Sequence, residues 1–226
     1  MKQKSLKKFL NKKVKIKIKK NPKHLIYGFF FKNDKEMCAT FMRIQEFYES
    51  PKFRSKFIDL NNFYNYYKKT HNDKFTYLKD WGGFNLPSEV IKDFFKKHKF
   101  LYKKEKQFYK KYKKIVKENK NDKFYIVGLT KYSPLSTFKH EITHGIYYLK
   151  NDYRKSVNSL LSKYSKSYFK VIKDYLDNLG YSDKVFFDEV NAYLTNDLSW
   201  LIKQNKQFKK YKPLSLKLKK EFKKYL

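Results

Sequence analysis

The chain has 226 residues, enough to bury a sizeable core as one domain or as a domain with an added lobe. It carries 55 Lys+Arg against 21 Asp+Glu, a net charge of +34, yet only Arg43, Arg54 and Arg154 are arginine. Arginine is the residue suited to bidentate phosphate and base contacts, so the charge reads first as a solvated, Lys-rich surface, with a weak anionic partner (nucleic acid or an acidic membrane surface) as the alternative.

Residues 1–12 are polar and basic and read as a frayed arm. They lack the apolar core and small-residue cleavage site of a signal peptide. The run 13-KVKIKIKK-20 alternates, with Val14, Ile16 and Ile18 on one side, and predicts a half-buried strand. Asn21-Pro22 marks a turn, and 24-HLIYGFFF-31 predicts the second strand of a hairpin. Its apolar stretch is too short to span a bilayer. A cytoplasmic location with no membrane span is expected.

Asn33 or Asp34 caps a predicted helix to about Tyr48. Cys38, the single cysteine, excludes an intramolecular disulfide and any Cys-based zinc site, and is expected to pack as a small hydrophobe. Arg43 and Glu46, at i,i+3, are expected to pair on the surface. Asp59 caps a second helix, 60–69. The stretch 80-DWGGFNLPSEV-90 reads as a loop, and with 43-RIQEFYESP-51 it is a candidate wall of a substrate cleft. A short helix from Ser88 to about Lys97 and a long one over 100–119 follow. Next come a short β-prone run, 123-KFYIVGLT-130, and helical segments at 136–149, 152–164, 167–179 and 183–203. Gly180 suits the position just past a helix end. The basic stretch 204–226 ends in a helix. The expected class is α+β, mostly helical, with an N-terminal hairpin and helical lobe (1–120) and a metal-binding helical region (121–226), or one compact domain over 1–226.

The chemistry concentrates in 136-STFKHEITHGIYYLK-150, where Ser136 can cap the helix. His140, Glu141 and His144 spell H-E-x-x-H. On a helix, i and i+4 share a face, so both imidazoles can reach one metal ion. Neutral imidazole suits zinc. Glu141 sits where it can take a proton from a metal-bound water and pass it to a leaving group. A catalytic zinc needs a third protein ligand and an open position. No histidine follows His144, so the third ligand is a carboxylate or an upstream histidine: His24, His71 or His98. The best carboxylates are Asp188 and Glu189, set among Phe186, Phe187 and Val190 in 186-FFDEVNAYLTND-197. A carboxylate in an apolar helix needs a partner.

With H-E-x-x-H, a strand just before it and a glutamate on a later helix, the region 123–203 resembles the gluzincin branch of zinc metallopeptidases. The resemblance implies a zincin-like core in which His140, His144 and Glu189 bind Zn²⁺ and Glu141 is the general base and acid. It further implies that 123–130 is an edge strand pairing with an extended peptide or protein substrate. In the thermolysin-like pattern the later helix reads E-x-x-small-D. Glu189 and Ala192 fit, but Tyr193 stands in place of the aspartate that orients a ligand histidine. The gap from His144 to Glu189 is also long and holds two helices. These departures keep Asp188 as an alternative ligand and leave Asp197 or Asp183 to orient the histidines. Tyr193, on the ligand face, is the leading donor to a developing oxyanion, ahead of Tyr147 and Tyr148. The expected function is a zinc-dependent metallopeptidase. Two alternatives stand beside it: a basic nucleic-acid- or protein-binding protein with a structural or degenerate metal site, and a zinc hydrolase of a non-peptide substrate.

Overall fold

The computed structural model describes residues 1–21, 25–120 and 123–226. The chain divides into two units, Met1–Ser133 and Pro134–Leu226. The expected turn at Pro22 and the start of the second strand at His24 lie outside the described residues.

In the first unit the N-terminal residues form a helix, α1 (Gln3–Leu10), rather than a frayed arm. The reason is an i,i+4 pair: Leu6 and Leu10 are buried in the unit's core. The hairpin forms as expected, with β1 (Lys17–Asn21) antiparallel to β2 (Ile26–Phe31). Residues 13–16 stop short of the ladder. Val14 is held instead by the Gln107 side chain, whose Oε1 accepts its N–H at 2.8 Å and whose amide donates to its carbonyl at 3.3 Å. Val14 and Ile16 are buried while Ile18 is half exposed.

The sheet has four strands in the order β1-β2-β4-β3. β4 (Tyr125–Thr130) runs parallel to β2 on one side and antiparallel to β3 (Phe84–Pro87) on the other. This corrects two expectations. The stretch 80–90 is not all loop, because Phe84–Pro87 pairs. The strand 123–130 is not an edge: β2 pairs with it along Tyr125–Thr130 and β3 along Tyr125–Gly128, so β3 occupies the side on which an extended substrate would add. Its unbroken apolar run, with all six residues buried, is what a strand covered on both faces requires. β4 belongs to the first unit, not with the helix that follows it in sequence. Gly128 keeps Phe41 close, since a Cβ there would lie 2.3 Å from the ring.

Helices α2 (Asp34–Glu49), α3 (Leu60–Thr70), α4 (Ser88–Lys97) and α5 (Lys103–Glu118) complete this unit. Asn33 caps α2 by accepting the Glu36 N–H, and Asp59 caps α3 by accepting from Asn61 and Asn62. Arg43 does not pair with Glu46 on the surface. It is buried and holds Glu105 through Nε (2.8 Å) and Nη2 (2.5 Å), while donating to the Ile58 and Phe100 carbonyls. Burial pushes the Glu46 carboxyl up to about 7. Cys38 is buried as expected, and burial pushes its thiol up to about 12.

The second unit is helical: α6 (Leu135–Leu149), α7 (Asn151–Leu161), α8 (Lys170–Asn178), α9 (Phe186–Ala192), α10 (Leu198–Gln204) and α11 (Lys212–Lys223). Between α9 and α10 the helix widens into a π-turn, Tyr193–Asp197. Gly180, at φ 86°, closes α8. Its N–H donates to Asp177 and that of Tyr181 to Leu176, as in a Schellman end. Tyr153, Val157, Leu161, Ile172, Val190, Leu194 and Leu218 are fully buried and form the interior of this unit. Among the described residues, no helix is long and apolar enough to cross a membrane.

Candidate metal centre

The centre is built from α6 and the α9–π-turn segment. α6 starts at Leu135 with Pro134 at the cap position, so Ser136 is not its cap. Arg154 closes the other end by donating to the Tyr147 and Tyr148 carbonyls. Within the motif, Thr143 and His144 are buried and Ile146 packs in the interior. The buried face of α6 therefore carries the histidines inward instead of leaving them in solvent.

His140 and His144 turn their Nε2 atoms toward each other at 3.1 Å. Glu189 Oε1 lies 3.8 Å from His144 Nε2. One ligand atom from each of His140, His144 and Glu189 falls within 4.8 Å of the others, so these three residues form a group able to hold a metal ion. Each Nδ1 faces a carboxylate. Asp197 Oδ2 is 2.5 Å from His140 Nδ1, and Asp188 Oδ1 is 2.9 Å from His144 Nδ1, the latter close but not aligned as a hydrogen bond. Asp188 thus stands behind a histidine while Glu189, 2 % exposed, faces the cluster. Asp183, the other sequence candidate for orienting a histidine, is exposed and paired with Lys173.

The donor set fits a divalent ion. Two nitrogens bound at zinc distances in a tetrahedral arrangement stand about 3.3 Å apart, close to the 3.1 Å found here. With an aspartate at each Nδ1, the 3.1 Å between the two Nε2 atoms is bridged by a proton or by a metal ion, since two bare lone pairs would repel there. Burial acts to lower the pKa of His144, but the charges of Asp188 and Glu189 outweigh it and hold the imidazole well above its usual range. The site attracts a cation, and a metal would compete there with a proton.

Glu141 is buried, and its Oε2 has no hydrogen-bond partner. Tyr193 packs its ring edge-on against His140, with centroids 4.8 Å apart. Its hydroxyl is engaged by Tyr181 and Tyr175, and burial followed by the charge of Glu189 raises its pKa far above the usual tyrosine range. Tyr175 and Tyr181 were not singled out from the sequence, which offers 21 tyrosines and no spacing to distinguish them. The Tyr147 hydroxyl is held by Asn158 at 2.6 Å.

The upstream histidines have other tasks. His98 is buried in the first unit, where Nε2 accepts the Ile58 N–H and Nδ1 faces the Phe94 carbonyl. His71 stacks on Tyr67 and contacts its carbonyl. His24 lies outside the described residues. Comparison with family models, with curated proteins and with solved structures finds no match for this chain.

Proposed function

We propose that the chain is a zinc-dependent hydrolase that cleaves a peptide bond at the centre formed by His140, His144 and Glu189. The observation that carries this reading is the pair of Nε2 atoms 3.1 Å apart, each imidazole backed by an aspartate, with a buried glutamate next in sequence to the first. A structural zinc site closes all four positions with protein ligands. Among the described residues the ligand group has three members, which supports a catalytic assignment over a structural one. A bound zinc ion supplies Lewis acidity to a carbonyl and acidity to a water.

The chain's own residues do the rest. With a metal bound, His140 and His144 would present Nε2 to it while their Nδ1 atoms face Asp197 and Asp188. Glu189 adds a negative ligand. Glu141 accepts the water's proton and returns it to the leaving amine, a role suited to a carboxylate with one unpartnered oxygen. Tyr193 is kept protonated by burial and the charge of Glu189, and it serves as donor to the developing oxyanion by turning its hydroxyl away from Tyr175. The peptide as substrate rests on the resemblance of the motif to gluzincins.

The test is hydrolysis of a mixed quenched-fluorescent peptide library. Activity should vanish on chelation and return with stoichiometric Zn²⁺. Activity that survives full chelation contradicts the metal role, and zinc binding without cleavage of any peptide contradicts the substrate.

A further inference from the structure

Glu189 and Asp197 stand on one continuous run of helix, α9 through the π-turn. On a regular α-helix, at about 100° per residue, position i+8 lies roughly 80° around the axis from position i. Side chains so disposed do not serve one site from one face. Here they do: Glu189 faces His144 Nε2 and Asp197 holds His140 Nδ1. The π-turn lies between them. It takes up one extra residue, which returns Asp197 to the angular position of i+7, about 20° from Glu189.

A widened turn is rare and needs support. Asn196 supplies it. Its Nδ2 donates to the Ala192 carbonyl at 3.1 Å, the acceptor that an α-helix would pair with Asn196's own backbone N–H. The same Nδ2 donates to Thr143 Oγ1 at 2.9 Å. Thr143 is fully buried beside His144, and its hydroxyl donates to the Lys139 carbonyl at 2.8 Å. Asn196 therefore ties the widened turn directly to the H-E-x-x-H helix.

We propose that the π-turn is the positioning device of the metal centre. Asp197 is a positioning residue that acts through His140, fixing its tautomer and aiming Nε2, and Asn196 holds Asp197 there by anchoring the turn to Thr143. The inference rests on the reading of His140, His144 and Glu189 as ligands. It assigns to Asp197 the task that the residue four places earlier, Tyr193, lacks the chemistry to perform.

The experiment is titration of the full chain with Co²⁺, followed by its d–d absorption, and competition with Zn²⁺. Asp197→Ala should weaken binding about 10–100-fold and shift the absorption bands, because His140 loses its fixed orientation. Asp197→Asn, which keeps an acceptor for Nδ1–H, should recover most of the affinity. Asn196→Ala should weaken binding in the same sense but less. The double variant Asn196→Ala/Asp197→Ala should bind no worse than Asp197→Ala alone, since one residue acts through the other. Asp183→Ala should match the wild type. If Asp197→Ala does not fold, Asn196→Ala decides, and unchanged affinity with an unchanged spectrum overturns the proposal. An Asp197→Ala chain that binds and absorbs like the wild type also overturns it, as do fully additive losses in the double variant. A wild-type chain that binds neither ion fails at the ligand assignment instead.

Discussion

His140 Nε2 and His144 Nε2 face each other across 3.1 Å, while their Nδ1 atoms face Asp197 and Asp188. At that distance a proton or a metal ion must lie between the two nitrogens, because two bare lone pairs would repel. The four carboxylates nearby, Glu141, Asp188, Glu189 and Asp197, add a negative field inside a chain whose net charge is +34. The centre is thus a local inversion of the protein's charge.

The roles of the adjacent acids Asp188 and Glu189 separate by substitution. Glu189→Ala removes a ligand and should reduce metal affinity by well over the 10–100-fold expected for loss of an outer carboxylate, which is the effect predicted for Asp188→Ala. Isothermal titration with Zn²⁺ measures both. A larger loss for Asp188→Ala would exchange the two assignments.

Metal binding should stabilise the second unit. An ion that binds only the folded chain adds about 4 kcal/mol when present at roughly a thousand times its Kd. Thermal unfolding followed by near-ultraviolet circular dichroism with and without a chelator should show a clear drop in Tm for the chelated protein, and a Tm indifferent to the chelator would contradict it.

How much of this was legible beforehand differs by region. The hairpin, the helix caps Asn33 and Asp59, and the closing Gly180 follow from local rules, and the structure has them. The pairing of His140 and His144 in the candidate metal cluster was legible because H-E-x-x-H needs only helix periodicity, whereas Glu189 was separated from Asp188 only by the geometry. β4 was legible as a strand but its place in the sheet was not, because strand order is set by the distant β2 and β3. Its lack of alternation was the available signal for an interior position. Arg43 was misassigned to the surface because its partner Glu105 is far away in sequence. Asp197 could be narrowed only to a choice with Asp183, since the π-turn that rotates it into place leaves no mark in the pattern of apolar residues.

The Arg43–Glu105 pair yields a stability prediction. Both side chains are almost fully buried, so removing one partner leaves an uncompensated charge. Arg43→Ala should cost about 3–5 kcal/mol by urea denaturation. Arg43→Lys should also destabilise, because a single ammonium cannot replace the fork that reaches Glu105 and the Ile58 and Phe100 carbonyls. A neutral Arg43→Lys would contradict this.

His98 sets a pH dependence. Burial, the largest influence, lowers its pKa to about 4 from an ordinary 6.5. The native state therefore requires neutral imidazole. Its contribution to stability is fully present above about pH 6.5 and is lost as pH falls through 6.5 toward 4, amounting to about 3 kcal/mol. Nuclear magnetic resonance of the ring protons should show His98 neutral at pH 5.5. Titration near 6.5 would contradict the buried, doubly hydrogen-bonded ring.

The central claim is that the cluster is a catalytic metal site with Glu141 as its base, and zinc content together with peptide hydrolysis in Glu141→Gln tests it most directly. The account predicts about one zinc per chain in both the wild type and the variant, with hydrolysis reduced about 10²–10⁴-fold in the variant. A wild-type chain without zinc, or a Glu141→Gln variant with wild-type activity, would contradict it.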